Sequence, residues 1–234
     1  MDSIIEISFS RCACQMISAV NYHVIRDDDP YRHFTGVGDS ISISPDDQTI
    51  IFSYYVNGKQ SIYKADIDGK NVSRIVVSKD EQLQRPVFAN DGKHMLYLAK
   101  SANGVNELYV ADENGREVKK VGPADMHVAA AAFAPDSKQT YYVGMDAKAY
   151  SKLYETGAEN EGAPQEDFDI YVVALDGGHN ERLTTRHGFA LSDLQVSTDG
   201  KLLYYSSFNG EKQEVHVLEP FPVGQCSVFS ICKS

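Results

Sequence analysis

The sequence predicts an all-β fold assembled from repeated four-stranded units. Three observations predict it: a turn-like pentapeptide recurring about every 45 residues, short β-branched and aromatic runs placed alike around each copy, and hairpin dipeptides at a fixed place in the first three copies. The pentapeptides are Ser44-Pro45-Asp46-Asp47-Gln48, Ala89-Asn90-Asp91-Gly92-Lys93, Ala134-Pro135-Asp136-Ser137-Lys138 and Ser197-Thr198-Asp199-Gly200-Lys201. Their central residues Asp46, Asp91 and Asp136 lie 45 residues apart, and Asp199 follows after 63, one period plus an insertion of 18.

Each unit supports the same reading, strand by strand. A short strand precedes the aspartate: Ile41-Ser42-Ile43, Pro86-Val87-Phe88, Ala131-Ala132-Phe133 and Leu194-Gln195-Val196. A more apolar one follows it: Ile50-Ile51-Phe52, Met95-Leu96-Tyr97, Tyr141-Tyr142-Val143 and Leu202-Leu203-Tyr204-Tyr205. Both are too short for helices. A third strand is centred on Ile62-Tyr63, Leu108-Tyr109, Ile170-Tyr171 and Val215-His216. In the first three units it runs into Asp68-Gly69, Asn114-Gly115 or Asp176-Gly177, dipeptides that supply the positive φ of a tight hairpin. A fourth strand closes those units at 72–75, 117–121 and 181–184.

Four antiparallel strands per ~45 residues is the period of a β-propeller blade. The expected blades are 37–78, 79–123, 124–186 with an acidic insertion at 147–167, and 187–220, between an amino-terminal segment 1–36 and a tail 221–234. In the pentapeptide, proline presets φ, the aspartate carboxylate accepts local backbone N–H groups, and glycine tolerates the left-handed position. Asp46, Asp91, Asp136 and Asp199 are therefore read as structural turn residues, since four symmetric copies serve architecture rather than catalysis.

The pattern Ser-Pro-Asp-x-x-x-Ile-x-Phe-x-Ser at 44–53, Ile62-Tyr63 followed by Asp68-Gly69, and the strand ending Arg182-Leu183-Thr184 together resemble the TolB-type β-propeller repeat. The same repeat is found in propeller domains that precede prolyl-oligopeptidase catalytic domains. The resemblance spans roughly 37–218 and implies a six-bladed architecture, whereas the sequence holds four recognisable units. The expectation is thus either a small closed ring or a partial arc of a larger propeller. The fourth unit lacks an obvious fourth strand, and 20–25 or 226–231 could supply it. Either would bring Cys12 and Cys14 towards Cys226 and Cys232. Free thiols are the preferred reading of these four; a closing disulfide and a four-thiolate metal site are the alternatives.

Composition narrows the function classes. With 33 acidic against 22 basic residues the net charge is −11, which disfavours nucleic acid and anionic membranes as partners. No run approaches the ~18 apolar residues of a membrane helix, so no membrane insertion is expected. Met1-Asp2-Ser3 and Glu6 stand where a secretory signal would carry basic then apolar residues, so no signal peptide is expected, although the resemblance implies an extracytoplasmic, envelope setting. No Gly-x-Ser-x-Gly elbow, phosphate loop or His-Glu-x-x-His motif occurs. Asp66-x-Asp68-Gly69 reads as a hairpin turn rather than a calcium loop. The chain is read as non-enzymatic, with no cofactor and no metal.

The candidate ligand-binding residues are Asp39, Arg85, His127, His187 and Asp193, which the strand assignment places in connections between blades, at the mouth of a central channel. Two imidazoles, two carboxylates and a guanidinium there could hold an anion, a metal or a peptide carboxylate; a solvated loop surface is the plainer alternative. The insertion carries Glu155, Glu159, Glu161, Glu166 and Asp167 and is expected to be a long polar excursion, with Tyr150 and Tyr154 near its base. The function expected is a protein- or peptide-binding scaffold acting through channel-mouth and inter-blade loops. The alternative is an accessory or truncated propeller domain of a prolyl-oligopeptidase-like hydrolase.

Overall fold

A computed structural model describes residues 36–56, 59–78, 82–156, 168–176, 178–185, 190–208 and 213–219. They form four antiparallel sheets and one helix. The first sheet holds β1 (Gly36–Ile43), β2 (Thr49–Val56), β3 (Lys59–Asp66) and β4 (Ser73–Val76). The second holds β5 (Gln82–Phe88), β6 (His94–Lys100), β7 (Asn106–Asp112) and β8 (Lys119–Val121). The third holds β9 (Met126–Phe133), β10 (Gln139–Asp146), β11 (Asp169–Ala174) and β12 (Asn180–Arg182), with helix α1 (Ala147–Thr156) between β10 and β11. The fourth holds β13 (Ala190–Val196), β14 (Leu203–Phe208) and β15 (Gln213–Leu218) among the described residues. Hydrogen-bonded neighbours are consecutive in sequence in every sheet, as in a propeller blade. The four cysteines, His187, the two suggested closing strands and the acidic tip at 157–167 lie outside the described residues.

In the first three blades, burial of the second strand explains why its sequence abandons alternation. In β2, Ile50, Ile51, Phe52 and Ser53 are all fully buried. The same holds for 95–99 in β6 and 140–145 in β10, where successive side chains point to opposite faces and both faces are covered.

The chain divides into two compact units, Met1–Lys100 with Ala111–Val118, and Ser101–Val110 with Lys119–Ser234. In the first, the Phe88 amide donates to Ser42 Oγ at 3.0 Å and the Gln60 amide to Gln82 Oε1 at 2.9 Å, fastening the first sheet to β5. In the second, Tyr141, Val143 and Ile170 of the third sheet share one core with Leu191, Leu203, Tyr205 and Leu218 of the fourth.

The repeat-centre aspartates accept hydrogen bonds from groups within a few residues of themselves. Asp46 Oδ1 accepts from Ser44 Oγ (2.6 Å) and the Gln48 amide (3.1 Å), and Ser44 Oγ accepts from the Thr49 amide (2.9 Å). The fourth unit reproduces this network through Ser197, Asp199, Lys201 and Leu202. Where alanine replaces the serine, the aspartate takes what remains: Asp136 accepts from the Lys138 amide (3.0 Å), and Asp91 from the amides of Lys93 and His94 and from the His94 ring. Asp47 and Ser137 occupy the left-handed position at φ 57° and 56°, so glycine is not required there.

Gly115 is different. It sits in the β7–β8 turn at φ 76°, and a Cβ added to it would lie 2.3 Å from the backbone oxygen of Ile75 in β4. Glycine is needed because two main chains meet there. Gly122, at φ 88°, has nothing within 4 Å of such a Cβ.

Gly115→Ala is therefore expected to cost about 2–4 kcal/mol, from left-handed strain plus a backbone clash, and Gly122→Ala only about 1 kcal/mol from strain. Equal urea-unfolding midpoints for the two variants would refute the close approach. The turn carboxylates supply a pH test. The Ser44 hydroxyl and then the Gln48 amide hold Asp46 below the usual carboxylate range, and the Ser197 hydroxyl and then the Lys201 amide do so for Asp199. Such depressed groups contribute stability that is fully present above the unfolded value near ~3.9 and is lost as pH falls through the folded value. The double variant D46A/D199A should be less stable than the parent at neutral pH and lose less stability between about pH 5 and pH 2. Parallel acid-denaturation curves would contradict this.

Candidate functional site

The site is built at the end of the second unit where second strands turn into third strands. The β6–β7 turn is closed by the Ser101 amide donating to Val105 O (2.9 Å), and by Ser101 Oγ bonded to both Val105 O and Asn103 Oδ1. Helix α1 begins where β10 ends. Asp146 caps it, its Oδ1 accepting from the Ala149 amide at 2.8 Å, and the Ala147 amide donates to Asp125 O at 2.8 Å. Between turn and helix runs an open groove of about 660 Å³, lined by Ser101, Asn103, Val105 and Glu107 on one wall and Lys148, Ser151 and Lys152 on the other.

His127 joins the two walls. Its Nδ1 accepts the Asn106 amide at 3.1 Å, which places the ring's one N–H proton on Nε2. Tyr150 of α1 stacks on the imidazole with ring centroids 3.4 Å apart, and Phe168 meets it edge-on at 6.0 Å. Glu107 is held at the groove's side by Lys120 Nζ (2.6 Å) and Tyr109 OH (2.9 Å).

The expected site residues are placed as follows. His127 is not in an exposed inter-blade loop: it lies within β9 and is 3% exposed, because α1 and Phe168 cover it. Arg85 and Asp193 also lie inside strands, β5 and β13, each in a bulge with φ near 50° (51° and 52°). The bulge absorbs the irregularity and lets the ladder continue upstream, to Gln82↔Lys100 and Ala190↔Phe208. Both are exposed, and each stands six residues before its repeat-centre aspartate, Asp91 or Asp199. Asp193 accepts from Ser206 Oγ at 2.8 Å. Asp39 lies in β1, and its side chain is outside the described residues, as is all of His187. The insertion opens as helix α1, not as a polar excursion, since Asp146 caps a run of helix-forming residues and Tyr150 packs back onto the core. Among the described residues, no three His, Cys, Asp or Glu side chains gather into a metal-binding group.

Two buried polar groups were not anticipated. Asp169, fully buried, bonds Arg182 and Thr184 Oγ1 (2.7 Å), and Thr184 Oγ1 accepts the Ile170 amide (3.0 Å), so the Arg-Leu-Thr tripeptide ties the blade's outer strand to its neighbour. Ser207 Oγ lies 2.6 Å from His216 Nε2, a nucleophile–base separation, yet the two are 2% and 3% exposed. A substrate would have to enter the sheet to reach that hydroxyl, and the pair instead joins β14 to β15.

This architecture is that of a β-propeller of the TolB type. A protein assigned as TolB from Agrobacterium tumefaciens superposes with TM-score 0.61 at 18% identity, over 78% of this chain and 61% of that one. TolB from Acinetobacter baumannii gives 0.59 at 22% identity over 82% and 43%, and a puromycin-hydrolysing peptidase from Mycobacterium tuberculosis gives 0.57 at 16% over 80% and 30%. The chain thus spans less than two thirds of each of these proteins, and the likeness is one of fold. No family model and no curated protein matches the sequence.

If His127 is the joint of the groove, Tyr150→Ala should raise amide hydrogen exchange across α1 by about tenfold or more. His127→Phe, which keeps a ring for Tyr150 but removes the acceptor, should expose the Asn106 amide while α1 stays protected. Exchange rates unchanged in both variants would show that the helix is held by other contacts.

Proposed function

We propose that this chain is a non-enzymatic propeller scaffold that binds a protein or peptide through the loops at the β6–β7 and α1 end of its blades. The observation that carries this reading is the groove itself. Its two walls are fixed to one buried imidazole, and a pre-formed groove binds with little loss of loop entropy. Arg85 and Asp193 are further contact residues on this reading, because bulges that hold non-glycine residues at positive φ are kept where they aim a side chain. The TolB-like fold is also the ground for an extracytoplasmic setting. Among the described residues no helix is long and apolar enough to cross a membrane.

A second reading, an accessory propeller region of a hydrolase, is favoured by the likeness to the puromycin-hydrolysing peptidase, of which this chain spans 30%. A photo-reactive residue at position 103, compared with one at position 138 at the other end of β10, tests both. A discrete protein adduct from 103 alone is the expected result. Equal adducts from both positions, or none, would remove the scaffold reading. An adduct to a chain that carries a nucleophile elbow would favour the hydrolase reading.

A further inference from the structure

Resting on the peptide-binding reading above, we infer that the groove between the 101–105 turn and α1 recognises a carboxylate: its ligand is an extended peptide segment that presents a glutamate or aspartate side chain to Lys148. The argument begins with what the lining leaves over. Glu107, the one acidic residue among the described residues that line the groove, spends one oxygen on Lys120 and the other on Tyr109. Asn103 Oδ1 is engaged by Ser101 Oγ and the Val105 amide, which leaves its amino group. The side chains of Lys148 and Ser151 make no hydrogen bond or ion pair among the described residues, and Lys148 is exposed. The groove therefore presents an ammonium, an amide NH₂ and a hydroxyl as donors, while its carboxylate is already satisfied. A donor-rich, acceptor-poor lining is complementary to an anion.

Charge placement sharpens this. The chain carries −11 overall, so an acidic ligand is repelled by most of its surface and favoured only where cations stand together. Lys148 and Lys152 are four residues apart on α1, hence on one face, and both line the groove. A carboxylate fits better than a phosphate. The start of α1 is already occupied by the Asp146 carboxylate, no arginine lines the groove, and Lys148 offers a point charge rather than a fork. Val105, Ala102, Ala124 and Ala147 give the neighbouring residues of the peptide an apolar floor.

The test uses the whole chain, isotope-labelled, and octapeptide mixtures with randomised flanks and Glu, Gln or phosphoserine fixed at a central position, followed by amide chemical-shift titration. The Glu mixture should shift amides of 101–107 and 147–152 and bind at least about fivefold more tightly than the Gln mixture, with the difference shrinking as salt rises. Lys148→Glu should weaken the Glu mixture about tenfold, while Lys138→Glu, the same charge change at the far end of β10, should leave it unaltered. Equal binding of the Gln mixture, tighter binding of phosphoserine, or indifference to Lys148→Glu would overturn carboxylate recognition and leave peptide binding standing. If no mixture shifts those amides, the peptide-binding reading of the groove falls with it.

Discussion

The second strand of each of the first three blades is buried on both faces, and this one constraint dictates much of the remaining structure. A sheet with such a strand cannot leave either face in water; Ile50, Ile51 and Phe52 in one blade and Tyr141, Tyr142 and Val143 in another are fully or almost fully buried in consequence. Burial of each such side chain contributes about 1.5–3 kcal/mol, but only while a neighbouring layer stays in place. The turns must then let the sheets approach. Gly115, packed on the Ile75 carbonyl, is where that need reaches the backbone, and the bonds from the Phe88 amide to Ser42 and from the Gln60 amide to Gln82 serve the same approach with side chains.

The blade turns were legible because their chemistry is local. Asp46 and Asp199 bond atoms within a few residues of themselves, and such contacts leave a fixed pattern in the sequence. The strands were legible for a related reason: runs such as Met95-Leu96-Tyr97 allow no helix of useful length. Arg85 and Asp193 were found as candidates but misplaced, because a bulge is a property of pairing register, which a single strand's sequence does not carry. Their shared offset from Asp91 and Asp199 was the readable signal. His127 was misread for a different reason. Its burial depends on Tyr150, near the start of an insertion outside the repeat, and on Phe168, just after it. Asp146 ahead of Ala147-Lys148-Ala149, with Tyr150, Leu153 and Tyr154 spaced along one helical face, was the signal that could have revealed α1.

The candidate site follows from two elements that the repeat does not share. Three blades have an ordinary second-to-third-strand connection or none described, and one has a capped helix there. Opposite it, the β6–β7 turn is stiffened by Ser101 and Asn103. The groove is thus made where the pattern departs from itself, and two of its three donors, on Lys148 and Ser151, come from the helix rather than from a blade strand.

The manner in which α1 is attached has a consequence of its own. β10 pairs with β11 as far as Gly144, whose ladder partner is Asp169, the residue at which β11 begins, and runs on to Asp146 beside β9. The sheet therefore closes across the insertion as though nothing stood between those two positions, and Thr140, Tyr142 and Val143 keep their partners in β11 whatever the excursion contains. Such a port admits foreign sequence without renegotiating the scaffold. Grafts of new recognition segments beyond Tyr150, which must stay to cover His127, would alter what the molecule touches while its blades remain the same.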